Sequence, residues 1–251
     1  MARQGALPVL VSFSDIRGDL HAHSNWSDGS APIREMAEAA KLRGYAYIAI
    51  TDHSRRLGVA HGLNASRLAR QIDEIDRLND ELDGFTVLKA IEVDILADGA
   101  LDLPDKILSR LNLVVASIHY EFDLTRVAQT ERAICAMDNR HVSILAHPTG
   151  RLISQREPYE IDIERVIGAA HDRGCFLEIN AQPGRLDLSD IHARAAKSEG
   201  VKVAISTDAH SVVDLGNIRF GVDQARRGWL SATDVINTYS LPELRKLLRR
   251  R

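Results

Sequence analysis

Val201-Lys-Val-Ala-Ile-Ser-Thr-Asp-Ala-His210 is a short apolar, β-branched run that ends on a carboxylate and an imidazole. Its length suits a strand buried on both faces. The same kind of run recurs along the chain, so strands are expected over residues 16–21, 46–51, 86–94, 113–119, 142–147, 176–180 and 201–208. The segments between them carry helical spacing. In residues 66–82 the apolar side chains Leu68, Ile72, Ile75, Leu78 and Leu82 fall three or four apart. Residues 30–42, 124–137, 161–172 and 188–198 also read as helices, with Gly44, Gly174 and Gly200 as stops. Strands alternating with helices predict an α/β fold whose parallel sheet is either an open wound sheet or a closed barrel.

No Pro/Gly/Ser linker, charge block or internal repeat divides the sequence. A single domain over 1–251 is therefore expected, with residues 1–14 as a lead-in and 241–251 as a short basic helix. A length of 251 residues fits one α/β barrel. With 45% hydrophobic and 27% charged residues, the composition excludes a disordered acidic chain, a collagen and a disulfide scaffold. The net charge of −3, from 32 basic and 35 acidic residues, speaks against nucleic-acid binding through bulk positive charge. No apolar run reaches the ~18–20 residues of a membrane span, and Met1-Ala-Arg-Gln-Gly5 lacks a signal-peptide pattern. Cys135 and Cys175 stand far apart and are expected to be buried structural thiols in a cytoplasmic protein.

The ten histidines are not scattered. His21 and His23 end the first expected strand, followed by Asp28; Asp52 and His53 end the second. Glu92 ends the third, His119 the fourth, His147 the fifth, and Asp208 and His210 the seventh. Residues two apart on a strand point the same way, so His21 with His23, and Asp208 with His210, can act together. In a parallel barrel the C-terminal strand ends converge on one rim, where active sites lie. Imidazole and carboxylate together are ligands of zinc, manganese or iron rather than calcium. Nine such residues are too many for one ion and imply two or three divalent metals. Asp19 and Asp52 are candidates to orient ligand imidazoles. His61, His141, His171 and His192 fall in loops or helices; of these, His61 is the one expected nearest the site.

The motifs Asp19-Leu-His-Ala-His-Ser24, Ser27-Asp-Gly29, Thr51-Asp-His-Ser54, Glu92, Ser117-Ile-His119, Ala146-His-Pro148 and Ser206-Thr-Asp-Ala-His210 resemble the PHP (polymerase and histidinol phosphatase) family. The resemblance runs from about residue 16 to about 225. Within the family, Asp15-Ile-Arg-Gly-Asp-Leu-His21, Ala90-Ile-Glu-Val-Asp-Ile95, His147-Pro-Thr-Gly-Arg151 and Leu177-Glu-Ile-Asn-Ala-Gln-Pro-Gly-Arg-Leu-Asp-Leu188 are most similar to the C-terminal domain of bacterial family X DNA polymerases. No polymerase module precedes Ile16, so the chain reads as an excised domain or a free-standing relative. The resemblance implies a distorted seven-stranded (β/α) barrel with a trinuclear metal site. By the family's assignment, His21, His23, Glu92 and Asp208 bind the first ion. Glu92 bridges to a second, held also by His119 and His147, and Asp28, His53 and His210 hold the third.

Such a cluster suits phosphate ester hydrolysis, because dications neutralise phosphate oxygens and acidify bound water. The expectation is in-line attack by a hydroxide between the first two ions, with Glu92 and Asp208 as the catalytic carboxylates. Arg151, Asn180 and Arg185 follow the fifth and sixth strands and are candidates for substrate binding. The resemblance favours 3′→5′ exonuclease action on DNA ends with manganese, a DNA polymerase module being the implied partner. Trp26 and Tyr120, beside ligand positions, are candidates for base stacking. A small-molecule phosphatase acting on histidinol phosphate or a nucleotide is the alternative, and a non-catalytic metal-stabilised binding module the third reading.

Overall fold

A computed structural model describes residues 7–249. Eight parallel strands alternate with helices in the order β1 (Gly18–Ala22), α1 (Ile33–Leu42), β2 (Tyr47–Ile50), α2 (Ala65–Glu81), β3 (Thr86–Lys89), β4 (Glu92–Asp94), α3 (Asp105–Leu108), β5 (Val114–Ser117), α4 (Arg126–Asp138), β6 (Val142–Leu145), α5 (Ile163–Arg173), β7 (Phe176–Asn180), α6 (Asp190–Ser198), β8 (Val203–Ser206), α7 (Ile218–Arg227) and α8 (Leu241–Leu247). The run expected as one strand over 86–94 is two. β3 pairs with β2, while β4 pairs with β5, so the chain steps from a three-stranded sheet (β1-β2-β3) into a five-stranded one (β4-β5-β6-β7-β8). Single parallel bridges, His53 to Glu92 and Ala22 to Ala209, join the two sheets at their C-terminal ends.

The helices begin where capping chemistry allows. Asn64, Thr125, Asp162 and Ser189 each accept a hydrogen bond from the first-turn amides of α2, α4, α5 and α6. Ser240 and Glu243 form a capping box on α8. Gly44, Gly174 and Gly200 all have positive φ after their helices, as a stop requires. Helix α7 lies outside the segments that the sequence pattern marks as helical, although Ile218, Val222 and Ala225 bury one face of it. Gly221 interrupts the pattern for a packing reason: a Cβ there would lie 2.5 Å from Ile205 Cγ2 and 2.9 Å from Ala181 Cβ.

Two apolar clusters hold the fold. The larger lies between the strands and the helices; the smaller gathers Leu20, Tyr47, Ala49, Leu88, Ala90, Leu113, Val115, Ile144, Phe176 and Ala204 from the strands, with Ile236 and Leu244 from the C-terminal segment. Side-chain alternation makes the next step polar. Tyr47 and Ala49 are followed on the same face by Thr51 and His53, Ala90 by Glu92 and Asp94, and Phe176 by Glu178 and Asn180. The N-terminal half of the enclosed space is thus apolar and the C-terminal half carries imidazoles and carboxylates.

At the apolar end, where β1 and β8 have no ladder, Asn237 takes the place of one. Fully buried, its Nδ2 donates to Gly18 O and Ile205 O (both 2.8 Å), and its Oδ1 accepts from Ile205 N (3.0 Å). Cys175 is buried as expected, but Cys135 is exposed, because the surface of α4 places it outside the buried stripe of Ala133, Ala136 and Met137. The expected C-terminal helix ends at Leu247; Arg250 and Arg251, with residues 1–6 of the lead-in, lie outside the described residues. No helix among the described residues is long and apolar enough to cross a membrane. Replacing Asn237 with Ala leaves three buried backbone groups unpaired, so urea denaturation should show a loss of about 2–4 kcal/mol at unchanged helix content.

Candidate metal centre

The polar half of the enclosed space brings all nine expected ligand side chains together. Six imidazoles form a connected chain, with ring centroids at 5.2 Å for His21–His23, 4.4 Å for His23–His53, 4.1 Å for His23–His210, 5.1 Å for His53–His119 and 5.4 Å for His119–His147. Glu92, 1% exposed, sits among them. Its Oε1 stands 3.0 Å from His147 Nε2 and 3.4 Å from His119 Nε2; its Oε2 stands 3.4 Å from His21 Nε2, 3.6 Å from His23 Nε2 and 2.8 Å from His53 Nδ1. Asp208 Oδ1 lies 3.0 Å from His23 Nε2 and 3.6 Å from His21 Nε2. Nearer the solvent, Asp28 faces His53 Nε2 at 3.6 Å and His210 Nε2 at 3.5 Å.

Most of these spacings fit cations, while the His147–Glu92 and His23–Asp208 contacts at 3.0 Å are hydrogen bonds. Atoms ~2.0–2.2 Å from one tetrahedral ion stand roughly 3.3–3.6 Å from one another. Donor atoms cluster as His23–Asp28–His53–His210, as His21–His23–Asp208 and as His53–Glu92–His119. His21 Nε2, His23 Nδ1, His53 Nδ1, His147 Nδ1 and Glu92 Oε2 are buried without a hydrogen-bond partner, as metal-ligating atoms would be. Two of the residues, His147 (φ 28°) and Asp208 (φ 51°), hold left-handed backbone conformations at the ends of their strands. That costs energy in a non-glycine residue and is characteristic of a functional site. The centre opens to solvent through Asp28 and His210, each about one-third exposed.

Burial and charge compete at each group. Burial penalises the Glu92 and Asp208 carboxylates, yet the imidazoles around them win and hold both well below the usual range. Burial opposes a charged His119, but Glu92 and Asp94 raise it to about 10; Asp28 and Asp208 likewise raise His210 to about 9. His23 goes the other way, down to about 3, through burial and the neighbouring His53 and His210.

Of the residues expected to contact substrate, Arg185 faces the centre, its Nε 3.5 Å from Asp208 Oδ2. Asn180 is buried and donates to Asp208 Oδ2 (3.0 Å) and Glu178 Oε2 (3.2 Å). Arg151 is turned to the main chain, donating to the carbonyls of Arg185 and Leu186. Tyr120, next to His119, has its ring beneath the Arg56 guanidinium (5.2 Å), and Trp26 lies beside Arg67 and Arg70. His61 is exposed and belongs to none of the donor groups.

Asp19 and Asp52 do not orient imidazoles. The Asp19 carboxylate accepts from Thr207 N–H and Oγ–H and from His21 N–H, and Asp52 accepts from Ser24, Ser27 and Gln71. Asp52, next to His53, points to the opposite side of the strand end and ties down the 24–27 loop instead. The rings are oriented by residues the sequence reading passed over: Asp94 Oδ1 is 2.9 Å from His119 Nδ1, and Glu178 Oε1 is 2.8 Å from His21 Nδ1. A signal was available, since Asp94 lies two residues beyond Glu92 on one face and Glu178 two before Asn180.

Residues 19–182 match the PHP domain model. The chain belongs to the PHP domain family. It is 48% identical over 241 residues to the DNA polymerase/3′-5′ exonuclease PolX of Bacillus subtilis (strain 168), an alignment that takes in 96% of this chain and 42% of that protein. The chain thus spans less than half the length of that relative. A probable phosphatase of Thermoanaerobacter sp. (strain X514) is 32% identical over 233 residues, 88% of this chain and 89% of that one. Among solved structures, the histidinol phosphate phosphatase of Lactococcus lactis, complexed with zinc, L-histidinol and phosphate, shares the fold with a TM-score of 0.58 at 18% identity. The match covers 83% of this chain and 93% of that one.

Protons are the competitors that any cation must displace from His119 and His210. Zinc or manganese titrations between pH 6 and 9 should therefore release protons and show affinity rising with pH. Calorimetry in buffers of different ionisation enthalpy would measure both.

Proposed function

We propose that this metal-dependent phosphoesterase of the PHP family is a 3′→5′ exonuclease that hydrolyses the terminal phosphodiester of a DNA strand. The observation that carries the reading is the 48% identity to PolX, running through 96% of the chain, with all nine ligand-type residues gathered at one rim. On this reading the two sheets work as one distorted seven-stranded barrel, β3 and β4 being halves of a single stave. Its ligands would divide as His21, His23, Glu92 and Asp208 for one ion, Glu92, His119 and His147 for a second, and Asp28, His53 and His210 for a third. Bound dications would neutralise the phosphate and acidify water. Manganese is the proposed supporting ion and the cytoplasm the proposed compartment.

The chain's own residues supply the rest. Glu92 reaches both sides of the cluster through its two oxygens, one facing His119 and His147 and the other His21, His23 and His53. Asp208 is braced by Asn180 and lies beside Arg185, whose side chain is 19% exposed and whose guanidinium is the proposed grip on a phosphate oxygen. Tyr120, next to His119, and Trp26, between His23 and Asp28 in sequence, are the aromatic rings on which an unpaired base could stack. With a net charge of −3, affinity for DNA must come from this local set, so a polymerase module that presents the DNA end is the partner we propose.

A second reading, a phosphatase of small phosphate monoesters, is favoured by the probable phosphatase that aligns over 89% of its own length. Digestion of 5′-labelled single-stranded DNA by manganese-loaded protein should give a ladder shortening from the 3′ end, abolished by chelator. Phosphate release from histidinol phosphate without a ladder would select the second reading, and metal binding without either would select a binding module. Glu92→Ala should lower turnover roughly 10²–10³-fold or more at retained secondary structure, since several kcal/mol of charge stabilisation are lost. Arg185→Ala should raise KM for the oligonucleotide about 10-fold or more, as expected for one charge-assisted contact.

A further inference from the structure

Strand β7 supplies none of the nine ligand-type residues, yet its inward side chains touch ligands from three other strands. Asn180 braces Asp208 after β8. Glu178, fully buried, takes His21 from β1 with one oxygen and the main chain of His147, after β6, with the other: Oε1 is 2.8 Å from His21 Nδ1, and Oε2 accepts from His147 N–H at 2.8 Å. A carboxylate that accepts from Nδ1–H leaves the opposite nitrogen with a free lone pair. That nitrogen, His21 Nε2, has no hydrogen-bond partner and stands 3.4 Å from Glu92 Oε2 and 3.6 Å from Asp208 Oδ1. His147 is one of the two candidate ligands with a left-handed backbone, so its amide needs an acceptor fixed in place.

We infer that Glu178 is a positioning residue of the metal centre: it sets the His21 tautomer so that Nε2 is offered to a cation, and it pins the His147 backbone that carries the ring to Glu92. The inference rests on the metal-centre reading above. Asp94 plays a comparable part for the His119 ring alone, with its own amide held by Ser54 Oγ (3.0 Å). A neutral side chain cannot replace Glu178. Glutamine offers one oxygen and one amide nitrogen, so accepting from the His147 amide would turn a donor toward His21 Nδ1 and force the other tautomer.

The test counts metal and reads the ring directly. Wild type, Glu178→Gln, His21→Ala and the double variant are loaded with zinc or manganese, desalted and analysed by mass spectrometry for ion content. Affinity is taken from competition with a chromogenic chelator, and folding from circular dichroism. The expected result is a folded Glu178→Gln that retains fewer ions than wild type and binds them about 10–100-fold more weakly. In the His21→Ala background the same substitution should cost clearly less. Long-range ¹H–¹⁵N spectra of the wild type should show His21 protonated at Nδ1. In the zinc-loaded wild type, a His21 proton on Nε2 in place of Nδ1 would overturn the inference whether or not the variant folds, as would wild-type ion content and affinity in Glu178→Gln. A wild type that binds no divalent ion would sink the metal-centre reading itself, a different result from a wild type that binds and a variant that matches it.

Discussion

Glu92 is a carboxylate removed from water and faced by five imidazoles, and this arrangement dictates much of what surrounds it. Burying a charge is costly unless it is paired and hydrogen-bonded. One of its oxygens has no hydrogen bond, and four of the surrounding imidazoles present buried, unpartnered nitrogens. A fold that maintains this state gains from cations, whose binding adds free energy to the folded form alone. The nine ligand-type side chains come from stretches spread over residues 21–210, and the parallel strands gather them by sending their C-terminal ends to one side.

The lower half of the strands provides the rigidity. The apolar cluster from Leu20 to Ala204, closed below by Ile236 and Leu244, fixes the strands against one another. Asn237 substitutes for ladder bonds between β1 and β8 at that end, and the Ala22–Ala209 bridge joins the same strands near the centre. Above, a set of buried carboxylates holds loops and rings rather than ions. Asp52 ties Ser24, Ser27 and Gln71 together, Asp19 holds Thr207, Asp94 holds His119, and Glu178 holds His21 and His147. The left-handed backbones of His147 and Asp208 are sustained by this scaffolding.

Charge is distributed to match. The whole chain is slightly acidic, but Arg185 stands beside Asp208 at the centre and Arg56 lies over Tyr120, next to the ligand-type His119. Relatives of two kinds share this framework, one a polymerase/exonuclease of more than twice the length and one a probable phosphatase of similar length. Similarity to both runs over most of this chain, so the fold alone does not discriminate between a DNA end and a small phosphate ester.

The sequence by itself determined the alternation of strands and helices and the gathering of His21, His23, Asp28, His53, Glu92, His119, His147, Asp208 and His210. Burial of strands produces continuous apolar runs, and the parallel arrangement sends every C-terminal end to one side. It hid the break between β3 and β4, because the strand-like run over 86–94 reads the same whether its two halves pair with one neighbour or with two. It also hid α7, whose pattern Gly221 interrupts for a contact with Ile205 and Ala181 that is visible only in space. The partners of the imidazoles were decided by tertiary structure alone. Asp19 and Asp52 stand next to ligand positions in sequence, but side-chain direction on a strand sends Asp52 away from its neighbour's ring and commits Asp19 to Thr207. Glu178, 157 residues from His21 along the chain, meets it because β7 and β1 face the same enclosed space.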